Sequence, residues 1–260
     1  MTFSKDALAG QHIVISGGAG AIGLGLVKKL TDHGAVMTVN DLLPEDAALA
    51  RFAAAEVNLS QMHYVRADLT QKSEVERLID SAVARFGGVH TALCHAAVVK
   101  TGRLLDVTVE DWDRVMAVNL RAAMLLAQIS IQQMLDRHIK GHVIFTTSWV
   151  AETPWPDIGP YHTSKAGMNQ LMRGFARELA ASGIRANAIA PGIVGAGMAK
   201  KQWDNEPDYR ARAQKAIPLG YLQEVDSVAD AFLFLCSPAA AYMTGSVLTV
   251  DGGCSLYPMD

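Results

Sequence analysis

The sequence has few cysteines, no long apolar run and no excess of charge, and each shortage excludes a class of protein. Its 260 residues include three cysteines, Cys94, Cys236 and Cys254, which are too few and too widely spaced for a disulfide framework or a zinc site. No run approaches the ~18 apolar residues that a membrane span needs. The net charge of −3 offers no electrostatic attraction to nucleic acid or to an anionic membrane.

The first residues and the histidines exclude further possibilities. The opening MTFSKDALAGQ lacks a basic start followed by an apolar stretch, so no secretory signal is expected. Unpaired cysteines suit a reducing compartment, and we expect a cytoplasmic protein. The eight histidines show no metal-ligand spacing, so no metal site is expected. Half of the residues are apolar, which is enough for a sizeable core.

Short apolar runs alternate with longer segments that carry apolar residues at helical spacing. Strands are predicted at His12–Ser16, Ala35–Asn40, His63–Arg66, Val89–Cys94, His142–Thr147, Arg185–Ala190 and Val247–Val250. Helices are predicted at Ile22–His33, Pro44–Glu56, Gln71–Phe86 with Thr70 as cap, Glu110–His138, Gly159–Ser182 and Glu224–Cys236. The alternation predicts an α/β fold: a single-domain Rossmann-type doubly wound parallel sheet of about seven strands, with helices on both faces.

No linker divides the chain, so residues 1–260 are predicted to form one domain. One segment, 192–218, interrupts the alternation of strands and helices. It is glycine-rich at first and then polar, and it follows the carboxyl end of a predicted strand. These properties are typical of a mobile lid over a substrate, with Gly195 and Gly197 as hinge positions.

A glycine-rich turn follows the first predicted strand. Gly18, Gly20 and Gly23 match G-x-G-x-x-G, which lets the backbone approach a pyrophosphate at the start of the next helix. Asp41 ends the second strand, where a carboxylate can accept hydrogen bonds from ribose hydroxyls and repel a 2′-phosphate. No basic residue follows Asp41 in Leu42-Leu43-Pro44, so the pattern favours NAD over NADP. The alternatives are a glycine turn without a ligand and an aspartate that caps the helix near Pro44.

Three polar residues indicate acid–base chemistry. Tyr161 and Lys165 are four residues apart on a predicted helix, so their side chains share one face. An ammonium beside a phenol favours the phenolate, and the pair can then act as a general base or acid. Ser148 ends the fifth predicted strand, at the sheet edge where such folds bind ligands. Taken alone, the Tyr/Lys pair could also be an ordinary solvated pair.

Together these residues resemble the short-chain dehydrogenase/reductase family along essentially the whole chain. Ser148, Tyr161 and Lys165 look like the family's catalytic serine and Tyr-x-x-x-Lys, and Asn119 matches the asparagine that completes the tetrad. The resemblance implies that tyrosine exchanges the proton and that serine orients the carbonyl or alcohol. It also implies that lysine holds the nicotinamide ribose and lowers the tyrosine pKa, while asparagine holds a water in a proton relay.

The resemblance extends to the cofactor. Asp68 looks like the family's aspartate beside the adenine ring, Pro191-Gly192 like its Pro-Gly near the nicotinamide, and Val250-Asp251-Gly252-Gly253 like its C-terminal signature. The residues expected to bind NAD are Gly17, Gly20, Ala21, Ile22, Gly23, Asp41, Asp68, Leu69, Ala96, Tyr161, Lys165, Pro191, Gly192 and Val194. This chain departs from the family in having Ala21 in place of a glycine, Ala196 in place of a threonine, and Cys94-His95-Ala96-Ala97 in place of Asn-Asn-Ala-Gly.

The substrate is less well indicated. Trp149, Trp155 and Trp203 are expected to contact it together with Ser148 and Tyr161, because aromatic walls suit rings and the C–H faces of sugars. The C-terminal half resembles the polyol and sugar dehydrogenase branch. The prediction is therefore an NAD-dependent oxidoreductase that interconverts a secondary alcohol and a ketone, acting on a polyol, a sugar or a small cyclic alcohol.

Three alternatives stay open: a non-catalytic dinucleotide-binding regulatory or scaffold protein, a dehydratase or epimerase, and a reductase of an aromatic or acyl ketone. Assembly is predicted from the two long helices. Met168, Leu171, Met172, Phe175 and Leu179 recur at helical spacing on the second of them. The family resemblance implies that these helices form the interface of a homotetramer.

Overall fold

A computed structural model describes residues 3–256, and seven strands there form one sheet. The strands are β1 (His12–Ser16), β2 (Val36–Asp41), β3 (Met62–Arg66), β4 (Thr91–Cys94), β5 (His142–Thr146), β6 (Arg185–Pro191) and β7 (Val247–Val250). All neighbouring strands pair in parallel, in the order β3-β2-β1-β4-β5-β6-β7. The predicted fold class is confirmed.

Helices cover both faces of this sheet. They are α1 (Ala21–Asp32), α2 (Glu45–Ala54), α3 (Lys72–Phe86), α4 (Val109–Met116), α5 (Ala122–Asp136), α6 (Gly159–Leu179), α7 (Gly197–Asn205), α8 (Pro207–Ala216) and α9 (Val225–Cys236). One face buries Leu26, Phe52 and Phe232, and the other buries Leu126 and Met172. The strand order reverses between β1 and β4, and this is where open α/β sheets bind ligands beyond their carboxyl ends.

Two predicted helix features are wrong in detail. The long helix predicted at 110–138 is divided into α4 and α5 by a π-helical turn, Ala117–Arg121, whose wider hydrogen-bond spacing is common at functional sites. Thr70 does not cap α3, which begins after Gln71. The Thr70 hydroxyl donates instead to Asp68 Oδ1 at 2.8 Å, so it closes the turn that follows β3.

The expectation that no segment could span a membrane also needs correction. By length and composition alone, the stretch Val109–Asp136, which comprises α4, the π-helical turn and α5, qualifies, with a mean hydropathy of 1.3 in one window. A core helix of a globular domain passes the same test, and 44% of that window is buried in the protein. Leu126 and Met134, for example, pack in the core beneath the sheet.

The segment 192–218 is largely helical, since it contains α7 and α8. Its base is fixed by Gln223, whose side chain accepts a hydrogen bond from the Gly192 N–H at 2.9 Å. The Gln223 carbonyl accepts another from the Gly195 N–H at 2.8 Å. Gly195 is therefore a poor hinge, whereas Gly197, with φ at +55°, has the backbone freedom that a hinge needs. The mobility of the segment stays a prediction.

Candidate active site

A cavity of about 520 Å³ lies beyond the carboxyl ends of the central strands. Its lining includes all but one of the residues expected to bind NAD: Gly17, Gly20, Ala21, Ile22, Asp41, Asp68, Leu69, Ala96, Tyr161, Lys165, Pro191, Gly192 and Val194. Gly23 does not line it. A Cβ at Gly23 would collide with the Gly17 carbonyl oxygen, so this glycine serves the packing of the loop against α1.

The glycine loop fits a ligand that approaches the backbone closely. Gly17 has φ at +70°, and a Cβ there would lie 2.9 Å from the Cα of Ala96, so only glycine is accommodated. The Ser16 hydroxyl joins the two loops by accepting hydrogen bonds from the N–H groups of His95 and Ala96, both at 3.0 Å. Ala21 is exposed at the start of α1, so its methyl group does not disturb the loop.

Asp41 is tied to the same loop. Its Oδ2 accepts a hydrogen bond from the Ala19 N–H at 3.1 Å, and its Oδ1 accepts one from the Leu42 N–H at 2.8 Å. The alternative role as a helix cap does not apply, because the N-cap of α2 is Pro44. The fold also brings in a cation that the sequence motif does not show: Arg51 donates from Nη1 to the Ala19 carbonyl at 3.2 Å.

The predicted catalytic side chains meet at the inner end of this cavity. Ser148 follows β5, while α6 carries Tyr161 and Lys165, and all three line the cavity. Lys165 is 1% exposed and donates from Nζ to the Thr146 carbonyl at 2.7 Å. Its Nζ lies 5.4 Å from the centre of the Tyr161 ring. The β5 edge and one face of α6 thus place an alcohol, a phenol and an amine together.

Burial controls the ionisation of this group. It raises the pKa of Tyr161 to about 12, against an opposing hydrogen bond with Ser148. It lowers the pKa of Lys165 to about 7. Forming a phenolate away from water therefore costs more than the hydrogen bond with Ser148 returns. That Lys165 lowers the tyrosine pKa stays a prediction.

Asn119 lies in the π-helical turn and is fully buried. Its side chain donates to the Val98 carbonyl at 2.9 Å and to the Ser164 hydroxyl at 3.1 Å, and it accepts from the Val98 N–H at 2.8 Å. The amide therefore joins the loop after β4 to α6, one residue from Lys165. In this arrangement the side chain organises the site.

His95 is a site residue whose role sequence reasoning did not identify. It stands in place of a family asparagine and lines this cavity of about 520 Å³. Its Nδ1 is 3.0 Å from the hydroxyl of Thr146, the residue whose carbonyl holds Lys165. Burial and the nearby Lys165 lower the pKa of His95 to about 4, so the ring is neutral near pH 7. The imidazole thus connects β4 to β5 beside Lys165.

A second cavity, of about 660 Å³, begins at Ser148 and Tyr161 and runs under α7 and α8. Trp149 and Trp155 line it, with ring centres 5.4 Å apart in an edge-to-face arrangement, and their contact with substrate stays a prediction. Trp203 does not line it. That indole packs against the apolar cluster beneath the two helices, and its carbonyl accepts a hydrogen bond from Arg210.

Comparisons with known proteins extend over nearly the whole chain. A family model described as Enoyl-(Acyl carrier protein) reductase matches residues 17–255. The 3beta-hydroxysteroid dehydrogenase 1 of Eggerthella lenta is 33% identical over 253 residues, which are 97% of each chain. Glucose 1-dehydrogenase of Gluconobacter oxydans is 29% identical over 253 residues, 97% of this chain and 95% of that protein. The crystal structure of a short-chain type dehydrogenase/reductase from Mycobacterium marinum superposes with a TM-score of 0.87 at 28% identity, covering 96% of this chain and 97% of that one.

Proposed function

This chain belongs to the short-chain dehydrogenase/reductase family, and we propose that it is an NAD-dependent enzyme that interconverts a secondary alcohol and a ketone. The observation that carries the proposal is the meeting of Ser148, Tyr161 and Lys165 where the two cavities join. A dinucleotide fits one cavity and a small ring or chain the other. Similarity to hydroxysteroid and glucose dehydrogenases supports a cyclic alcohol, a polyol or a sugar as substrate.

The residues of the first cavity fit a nicotinamide dinucleotide. The backbone at Gly17 leaves no room for a side chain, and the free N–H groups at the start of α1 suit a pyrophosphate. When bound, the dinucleotide supplies the donor or acceptor of the hydride. Asp41 would hold the adenosine ribose and Lys165 the nicotinamide ribose.

The chain's own residues handle the proton. Ser148 orients the substrate oxygen, and Tyr161 gives a proton to that oxygen in ketone reduction or takes it in alcohol oxidation. With a pKa of about 12, Tyr161 carries its proton at neutral pH, so alcohol oxidation should speed up as the pH rises toward that value. Asn119 keeps the loop after β4 against α6, and its part in holding a relay water stays a prediction.

NAD rather than NADP is proposed from Asp41. The Asp41 Oδ2 atom accepts one hydrogen bond, from the Ala19 N–H of the glycine loop, and retains a lone pair for a ribose hydroxyl, whereas Oδ1 accepts from the N–H groups of Leu42 and Leu43. The same negative charge would oppose a 2′-phosphate at this position. We also propose that the protein is cytoplasmic, in keeping with its free cysteines.

The direct test is turnover of polyols, sugars and cyclic alcohols with NAD, followed by NADH absorbance. Tyr161→Phe should retain the fold and lose about 10²- to 10⁴-fold in kcat, since it removes only the ionisable oxygen. Its thermal unfolding serves as the control for folding. NADH binding without turnover of any alcohol would favour the non-catalytic alternative, and near-normal kcat in Tyr161→Phe, with chemistry rate-limiting, would contradict the assigned mechanism.

We propose a homotetramer built on α5 and α6. On α6, the side chains of Met168 and Met172 are fully buried, whereas those of Leu171, Phe175 and Leu179 are only partly buried. Beside them, Leu120 and Met124 line a shallow apolar groove that a second copy could cover. Light scattering at micromolar concentration should give a tetramer, and a stable monomer would contradict this assembly.

A further inference from the structure

The second cavity, of about 660 Å³, is called the substrate cavity from here on, and its charge is unevenly distributed. Its inner end is neutral and is formed by Ser148, Tyr161 and the indole rings of Trp149 and Trp155. Three carboxylates, from Asp157, Glu206 and Asp208, lie on its exposed rim. Arg212 is the one cation in its lining among the described residues, and it comes from α8.

The position of Arg212 is set by packing. Tyr209, Arg212, Ala213 and Ala216 share one face of α8 because they are spaced three, four and seven residues apart. The Tyr209 ring packs at 6.0 Å from that of Trp155, and the Arg212 guanidinium carbon lies 5.8 Å from the centre of the same indole. An aromatic face can hold a guanidinium in this way by a cation–π contact.

Arg212 retains its hydrogen-bonding capacity. Within residues 3–256 it has no carboxylate within 4.0 Å and no side-chain hydrogen bond, although it is half-buried. Arg210, two residues earlier on α8, differs because its guanidinium donates to the carbonyls of Trp203 and Asp204. The planar fork of Arg212 is thus available to an acceptor inside the cavity.

We propose that the substrate carries a carboxylate that pairs with Arg212, so that the substrate is a hydroxy acid such as a sugar acid or a hydroxylated ring acid. A guanidinium matches a carboxylate through two parallel hydrogen bonds. A single cation beside three rim carboxylates suits a monoanion better than a phosphate dianion. The rim carboxylates are exposed and hydrated, and they can accept hydrogen bonds from hydroxyl groups on the substrate.

This proposal rests on the proposed alcohol dehydrogenase function, and a binding experiment separates the two. The probes are cyclohexanecarboxylate and its neutral amide, titrated into the enzyme with NADH bound and followed by calorimetry. We expect the acid to bind about 10- to 100-fold more tightly than the amide, as for a charged hydrogen-bonded pair. Arg212→Met keeps the length of the side chain and should abolish that preference, while Lys215→Met on the exposed side of α8 should not.

Equal binding of acid and amide, or an unchanged preference in Arg212→Met, would overturn the assignment. Tighter binding of cyclohexyl phosphate than of the carboxylate would also overturn it. Turnover provides a second measurement. In the unmodified protein, kcat/KM for 3-hydroxycyclohexanecarboxylate should exceed kcat/KM for its amide by a similar factor. In Arg212→Met this preference should disappear. If no alcohol of either kind is oxidised while the acid still binds through Arg212, the proposed function fails and the anion site stands.

Discussion

The cavity of about 520 Å³ proposed to hold the dinucleotide, called the cofactor cavity, and the substrate cavity are built in different ways. The first is shaped by backbone: Gly17 can be nothing but glycine, and Ser16 and Asp41 hold the loop by hydrogen bonds to main-chain N–H groups. The second is shaped by side chains from separate helices, such as Trp155 and Arg212. A cavity shaped by backbone accepts ligands of one geometry, whereas the side chains that line a cavity can be replaced without altering the sheet. The two cavities should therefore respond differently to perturbation.

The largest effect is expected from a methyl group at the backbone-shaped cavity. Gly17→Ala places a side chain at φ +70° and drives its Cβ against Ala96, so NADH affinity should fall by about 100-fold or more. Ala21→Gly is the matched change in the opposite direction. It should alter affinity far less, because it removes one methyl group from the cavity lining and leaves the backbone N–H in place. Fluorescence titration with NADH measures both. Wild-type affinity in Gly17→Ala would show that the loop tolerates shapes we exclude.

The next effect concerns Asp41, the carboxylate that is hydrogen-bonded to the glycine loop. Asp41→Ala should weaken NAD by about one to two powers of ten, since a charged hydrogen bond is worth ~1.5–3 kcal/mol. NADP should improve, because the opposing charge is removed while Arg51 stays beside the loop. Values of kcat/KM with both cofactors provide the measurement.

Two variants sharpen the Asp41 test. Asp41→Asn keeps an acceptor without the charge, and it should relieve the NADP penalty with a smaller loss of NAD affinity. Asp46→Ala removes a nearby exposed carboxylate on α2 and should alter neither cofactor. An unmodified protein that prefers NADP would contradict the assignment before any variant is made.

A smaller effect, on the free energy of unfolding, should come from His142 in β5 of the sheet on which both cavities depend. Burial lowers the pKa of His142 to about 3, against about 6.5 in the unfolded chain. Below pH 6.5 the unfolded chain takes up a proton that the folded protein resists, so stability is lost as the pH falls from 6.5 toward 3. The slope should approach about 1 kcal/mol per pH unit for this residue. His142→Gln should flatten the pH dependence of chemical unfolding, and His138→Asn at an exposed site should not.

The smallest effect should appear in the hydrogen exchange of α7 and α8, the helices over the substrate cavity. We expect amide hydrogens of α7 and α8 to exchange faster than those of β1 and β4, and to slow when NADH binds. The Gln223 contacts fix the chain as far as Gly195, so the change should begin near Gly197. Equal protection of α7 and α8 with and without NADH would mean a fixed wall in place of a lid.

Much of the cofactor side could be predicted because its signals lie close together in the chain. The glycine turn, Asp41 and the Tyr/Lys spacing each depend on one strand end or one helical turn. Their residues line the expected cavity except Gly18 and Gly23, which serve packing. The direction of the tyrosine pKa could not be predicted in this way. It depends on how completely Tyr161 is removed from water, which many distant residues decide together.

What the sequence determined by itself is the alternation that builds the sheet and the local patterns that place a dinucleotide and a proton-transfer pair at one edge. The tertiary structure alone decided that Arg51 reaches the glycine loop, that His95 connects Thr146 beside Lys165, that Trp203 faces the interior and that Arg212 faces the cavity. Periodicity and spacing describe neighbours within one element. These four contacts join elements distant along the chain, and only the packing of helices on the sheet brings them together.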